Sequence, residues 1–187
     1  MTPDDPDDLQ APETLEALSA AVTGRLPLPT SLRARLFANV SKTHRWEDLL
    51  DQIARDCDLD RDATEALLLT VDQPSSWEPS PLPGVQLLHF EGGPSTTNAI
   101  TGFVQIEVGG TFAEHGHAGA EIVVVLQGEL RDEQTKKRYG RGDRVVSGVD
   151  DVHALTAISD IPVIYLAVVQ NGITLDGELI GPDDPRA

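Results

Sequence analysis

Between residues 72 and 84 the chain places four prolines, Pro74, Pro79, Pro81 and Pro83, and no regular helix can run through them. The spacing of apolar residues differs on the two sides of this stretch. Before it, from Glu13 to about Val71, the spacing is helical: Leu15, Leu18, Ala21 and Val22; Leu32, Leu36 and Phe37; Trp46, Leu49, Leu50, Ile53 and Cys57; Leu67, Leu68 and Val71. Three or four short helices are expected there. Their starts are marked by Thr30 or Ser31 after Pro29, by Thr43, and by Asp62 with Glu65 three residues on. After it come short β-rich runs punctuated by glycine, at 85–90, 100–108, 122–130, 144–146, 153–158 and 161–169. Segment 121–126 is nearly continuous in Ile, Val and Leu, as in a strand buried on both faces. A mainly-β sandwich or barrel of about 100 residues follows, preceded by a small helical segment. The boundaries read as an acidic disordered tail over 1–12, helices over 13–73, the barrel over 74–175 and a C-terminal tail over 176–187.

Charge narrows the partners. The formal net charge is −17 and only 14 residues are Lys or Arg, so a nucleic-acid phosphate backbone would be repelled. The outline of a helix-turn-helix between Thr43 and Asp72 fails on the same ground, because Arg45, Arg55 and Arg61 face nine acidic residues; a packed helical hairpin is the better reading. No run approaches the roughly 20 apolar residues of a membrane span. The first residues are acidic, where a secretory signal would be basic and then apolar, so a soluble, cytoplasmic protein is expected. The single cysteine, Cys57, excludes an internal disulfide and a cysteine-rich zinc site, and on its apolar face it reads as a buried hydrophobe.

One stretch carries chemistry. His115 and His117 stand two apart and Glu121 six from His115, so on an extended strand all three side chains share a face. Imidazole and carboxylate are ligands that divalent zinc, iron, manganese, nickel and copper accept. His153, the only later histidine, is the natural fourth. His89 reads as a structural or barrel-lining residue, and the cluster Lys136, Lys137 and Arg138 as a solvated hairpin tip. Glu114 and Glu129 have no spacing that forces a role, and no catalytic acid or base is singled out. No nucleophile elbow, P-loop or dinucleotide fingerprint is present in the sequence.

Written out, Gly109-x5-His115-x-His117-x3-Glu121-x6-Gly128 and Gly142-x5-Gly148-x-Asp150-x2-His153 resemble the two sequence motifs of the cupin superfamily. The first matches at every marked position. The second keeps the spacing but has Gly148, Asp150 and Ala157 where the family usually has Pro, Gly and Asn. The resemblance implies an RmlC-like double-stranded β-helix, a jelly-roll barrel, and makes His115, His117, Glu121 and His153 ligands of one divalent metal ion. Zinc suits a closed tetrahedron, and iron, manganese or nickel an octahedron completed by waters. The run from Trp77 to Val85, the His-x-His segment and the run from Val125 to Asp132 are similar to the cupin domain of the ChrR family of anti-sigma factors, which joins a helical sigma-binding domain to a cupin. Ser31 to Phe37 resembles the helix that leaves such a sigma-binding domain. The His-x3-Cys-x2-Cys cluster of zinc-binding anti-sigma domains is missing from the sequence, and His44 and Cys57 on one helix would stand about 20 Å apart. The resemblance implies a metal-binding regulator with a sigma factor or other regulatory protein as partner and a small-molecule ligand in the barrel. It also leaves open a metal-dependent dioxygenase or isomerase acting on a small molecule such as a β-diketone. Barrel edge strands that pair between subunits would give a homodimer.

Overall fold

The structure, a computed structural model, describes residues 45–184. The expected acidic tail and the expected helix starts at Thr30, Ser31 and Thr43 lie outside the described residues. The unit that begins at Trp46 opens with helix α1, Glu47–Cys57, whose buried stripe is Leu49, Leu50, Ile53 and Cys57. No side chain caps its start, and Glu47 and Asp48 in the first turn complement the helix dipole instead. It ends where Asp58 turns left-handed at φ 54°, which lets the Leu59 amide donate back to the Ala54 carbonyl at 3.0 Å.

Helix α2, Arg61–Val71, follows at once. Its cap is Asp60, not the expected Asp62. Asp60 is extended and its carboxylate accepts from the Ala63 amide at 2.8 Å, whereas Asp62 already lies within the first turn. The two helices form the antiparallel hairpin expected from the Asp58-Leu59-Asp60 turn, closed on the outside by Arg61 donating to Asp51 at 2.9 Å. The proline stretch then forms one short 3-10 turn, Pro74–Ser76, and a two-residue strand.

Among the described residues twelve strands make two antiparallel six-stranded sheets. One holds, in spatial order, β1 (Glu78–Pro79), β2 (Val85–His89), β3 (Ala99–Ile106), β10 (Val163–Gln170), β5 (Glu121–Gln127) and β8 (Arg144–Ser147). The other holds β12 (Glu178–Ile180), β11 (Ile173–Leu175), β4 (Thr111–His117), β9 (Val152–Ala157), β6 (Glu129–Asp132) and β7 (Arg138–Gly140). The chain changes sheet at most steps, so consecutive strands face each other across the interior as in a cupin jelly roll. Strand pairing continues past residue 175, since β12 pairs with β11 through Ile180.

The apolar run 121–126 has its explanation in two cores. On β5 the inward Val123 and Val125 join Val104, Leu155, Val163 and Tyr165 in the barrel interior. The outward Ile122, Val124 and Leu126 meet Leu50, Ile53 and Leu68 of the helices. Strand β10 alternates in the same way, with Ile164, Leu166 and Val168 outward and Val163, Tyr165 and Ala167 inward. A strand covered on both faces has no polar alternation, and each such side chain contributes about 1.5–3 kcal/mol. Polar contacts at the rim hold the hairpin in place: Arg144 grips Asp56 with two nitrogens at 2.9 Å, and Arg141 reaches Asp48 at 2.6 Å.

A latch fastens the hairpin turn. The Gly93 amide donates to the Cys57 carbonyl at 2.8 Å and the Ser95 amide to the Asp58 carboxylate at 2.8 Å. A Cβ on Gly93 would overlap the Asp58 carbonyl, so Gly93→Ala must push the loop off the helix end. The expected cost is about 1–3 kcal/mol, read as a Tm lower by about 2–4 °C for each kcal/mol. An unchanged melt would show that the latch carries no stability. Among the described residues no helix is long and apolar enough to cross a membrane.

Candidate metal centre

Strand β4 pairs with β9 on one side and β11 on the other, and the β9 register places His115 directly opposite His153. Between Phe112 and His115 that register slips, so β4 carries an extra residue there. Such a bulge twists the strand and re-aims the next side chain, here His115, whose Nδ1 donates to the Ala113 carbonyl at 2.9 Å. Two residues on, His117 points to the same face.

Glu121 is not on that strand. The sequence expectation of one extended strand bearing all three side chains is corrected by a turn at 118–120, which carries the chain into the other sheet so that Glu121 opens β5. The turn is pinned by the Ala118 amide donating to the Gly172 carbonyl at 3.0 Å and the Gln170 amide to the Ala120 carbonyl at 2.9 Å. The carboxylate therefore meets the imidazoles from the facing sheet.

The four side chains converge, with ligand atoms all within 4.8 Å of one another. His117 Nε2 and His153 Nε2 lie 3.2 and 3.1 Å from Glu121 Oε2, His115 Nε2 lies 3.8 Å from Oε1, and the two facing nitrogens of His115 and His153 are 3.1 Å apart. All four residues are buried. The outward nitrogens of His115 and His117 have acceptors, the Ala113 carbonyl and, at 3.3 Å, the Gly148 carbonyl, and that of His153 faces the Asp132 carboxylate at 3.6 Å. With the protons drawn outward, the inward Nε2 atoms present lone pairs to one another and to a carboxylate.

In that tautomer the centre has acceptors and no donor among the described residues. His117 Nε2 and Glu121 Oε2 are buried without a hydrogen-bond partner. A cation resolves this, and the separations suit edges of a coordination polyhedron with metal–ligand distances of about 2.0–2.2 Å. The residues fit a divalent ion, and the cluster could hold one.

Without an ion, the Glu121 carboxylate favours a proton on His117. Burial works against charge on His117, but the Glu121 carboxylate and the Gly148 and Asp151 backbone outweigh it and hold its pKa above 6.5. Burial likewise opposes ionisation of Glu121, and the three imidazoles overcome it, leaving that carboxyl well below 4.5. The signs give a test. A raised His117 stabilises the metal-free fold below pH 6.5 and loses that contribution as pH rises through its folded pKa. A lowered Glu121 stabilises above pH 4.5 and loses its contribution as pH falls through its folded pKa. Chelated protein should therefore be most stable in mildly acidic buffer and soften toward pH 8, while metal-loaded protein gains stability over the same range because protons compete with the ion. Parallel melting curves for the two forms across pH 5–8 would rule out competition at these residues.

Several neighbours were not singled out from sequence. The Phe112 ring packs edge-on against His115 with centroids 4.9 Å apart. Asp132, buried at the inward position after Leu130, backs His153 while its other oxygen accepts from the Gln134 and Thr135 amides at 2.8 and 2.9 Å. Strand alternation from Leu130 was the signal for Asp132: an acidic residue at an inward position needs a partner. Tyr165 is buried beside the site, its hydroxyl held protonated by burial and by the nearby Glu121 charge. His89 lines the barrel cavity as expected, and Cys57 is buried, its thiol pushed up to about 12 by burial and Asp56.

Fold comparison agrees with this picture. A chain in the crystal structure of Rhodobacter sphaeroides SigE in complex with the anti-sigma ChrR is similar at 23% identity and a TM-score of 0.50, covering 84% of this chain and 77% of that one. An acetylacetone dioxygenase from Acinetobacter johnsonii is similar at 15% identity and a TM-score of 0.50, covering 58% of this chain and 81% of that one. No curated protein matches this chain in sequence. Residues 65–171, which include every strand that carries the four converging side chains, match the ChrR Cupin-like domain, and the chain therefore belongs to that family.

Proposed function

We propose that this chain is a metal-binding regulator of the ChrR type, acting in the cytoplasm. In this reading His115, His117, Glu121 and His153 hold one divalent ion, zinc first, and the helical N-terminal part engages a sigma factor or another regulatory protein. The observation that carries it is the two-sided strand β5. Glu121 opens that strand at the centre, while Ile122, Val124 and Leu126 on its other face seat the helical hairpin. A change at the centre and a change in the seating of the helices thus share one backbone. The anti-sigma ChrR, whose complex with SigE has a chain of similar fold, supports a partner of that class.

The test uses the full chain as bait, once metal-loaded and once chelated, in extracts of its own source. Recovery of a sigma factor that differs between the two forms is expected. Recovery of none from either form would count decisively against the regulatory reading. The sheet edges at β8 and β7 also support a homodimer, to be measured by light scattering.

A second reading is favoured by one observation. An apolar cavity of about 210 Å³ opens onto His115 and Glu121, as a metal-dependent dioxygenase or isomerase acting on a β-diketone would require. A bound ion would supply Lewis acidity there. The chain's own part would be to exclude water with Phe112 and Val104 and to keep the Tyr165 hydroxyl protonated. Oxygen uptake after anaerobic iron loading tests it, and inactivity on β-diketones with the ion retained would sink it.

A further inference from the structure

We propose that the barrel cavity selects small monoanions: an oxygen-anion head, carboxylate or enolate, on a short apolar body, with the head at the His115 and Glu121 end. This rests on the reading of the four converging residues as a divalent-metal centre. The proposal adds the charge and the shape of the molecule that such a centre would accept here.

Charge decides the head. A divalent ion with the single carboxylate of Glu121 and three neutral imidazoles leaves one positive charge at a centre whose four side chains are 3–5% exposed. Uncompensated charge in such surroundings is costly, so a ligand that brings one negative charge is favoured over a neutral or cationic one. Asp132 does not supply that charge to the cavity. It stands behind His153, held by the Gln134 and Thr135 amides, and is not part of the cavity wall.

The lining decides the body. Among the described residues Glu121 is the only acidic one in the wall, and no lysine or arginine is there. A second anionic end, as in a phosphate ester or a dicarboxylate, would therefore meet no cation. The described wall is mainly Leu, Ile, Val, Phe and Ala, and among the described residues outside the centre only Ser80, His89 and Tyr165 offer side-chain hydrogen bonds there. A polyol could not satisfy its hydroxyls in that wall. The volume of about 210 Å³ falls short of the roughly 300 Å³ at which drug-sized pockets begin, which keeps the body short.

The far end is also shaped. His89 pairs with Gly102 across β2 and β3, and a Cβ on Gly102 would stand 3.2 Å from the His89 ring, so the glycine makes room for the imidazole. His89 and Ile100 border both this cavity and a second, polar one of about 450 Å³ lined by Glu91, Thr96 and Asp183. The apolar body thus ends at His89, where the wall turns polar.

The test titrates the full, zinc-loaded chain with hexanoate, acetylacetone, adipate and hexylamine, read by calorimetry and thermal melting, with bound zinc measured in the same sample. Hexanoate or acetylacetone should bind one per chain and raise Tm, and adipate and hexylamine should bind at least about tenfold more weakly. Hexanoate binding identifies a carboxylate head, and acetylacetone binding alone an enolate head. Ala167→Leu, which narrows the cavity with an apolar group, should weaken the monoanion about tenfold or more and leave the zinc content unchanged. Should that variant fail to fold, the wild-type series still decides. Zinc-loaded protein that binds neither monoanion, or that binds adipate as well as hexanoate, overturns the proposal while leaving the metal centre intact. A chain that retains no zinc removes the metal reading itself, and the proposal falls with it.

Discussion

Replacing His117 by Ala should take bound divalent metal from about one ion per chain to near none and remove the metal-dependent part of the protein's thermal stability. His117 Nε2 stands 3.2 Å from Glu121 Oε2, and both atoms are buried with no hydrogen-bond partner. Removing the imidazole takes away one ligand of four and opens the site to water beside a buried carboxylate. Metal bound only by the folded chain adds its binding free energy to the stability of the fold, so stability falls with affinity. Glu114→Ala is the control. Glu114 is an exposed neighbour on β4 whose carboxylate accepts from Gln134 at 2.8 Å, so its loss should leave metal content unchanged. Elemental analysis after purification without chelator reads both variants. Full metal content in His117→Ala would refute the ligand set.

The spacing of His115, His117 and Glu121 was in the sequence, and so was His153 as their natural partner. Spacing alone, however, placed Glu121 on the strand of the histidines. Whether six residues make one strand or a strand, a turn and the next strand depends on what pins the turn, here Gln170 and Gly172 from the far end of the barrel. The doubly buried character of 121–126 was readable because a strand covered on both faces loses its polar alternation. What covered it was not readable, since nothing local to β5 records that the hairpin of α1 and α2 lies on its outer face. The cap of α2 went to Asp60 rather than Asp62 for a similar reason. Both have an acidic residue in a suitable place, and the left-handed turn at Asp58, which fixes where the second helix can start, is a matter of backbone conformation. Alternation from Leu130 puts Asp132 inward without naming His153 as its neighbour, and Tyr165 bears on the site only through the register of β10, a long-range fact that no short motif encodes.

The second large effect is expected at Leu50→Ala. Leu50 is 1% exposed and packs within the cluster that joins the helices to β5, β3 and β10. Truncating a leucine in such a place costs about 2–5 kcal/mol, the range reflecting how far the surroundings collapse into the gap. Leu69 on α2 is 54% exposed, and Leu69→Ala should change stability by no more than about 0.5 kcal/mol. Denaturant unfolding followed by far-ultraviolet dichroism and by tryptophan fluorescence should give one coincident transition in each protein, because Trp46, buried in that same cluster, belongs to the joint between helix and barrel. Separate transitions would mean that the hairpin and the barrel are independent and that β5 connects nothing. The more demanding measurement sets Leu50→Ala in metal-loaded and in chelated protein. Were the two faces of β5 independent, the cost would be the same in both forms to within about 0.5 kcal/mol. A centre that influences how the helices sit requires a difference larger than that, because whatever the metal does to the hairpin, the hairpin must do to the metal in equal measure.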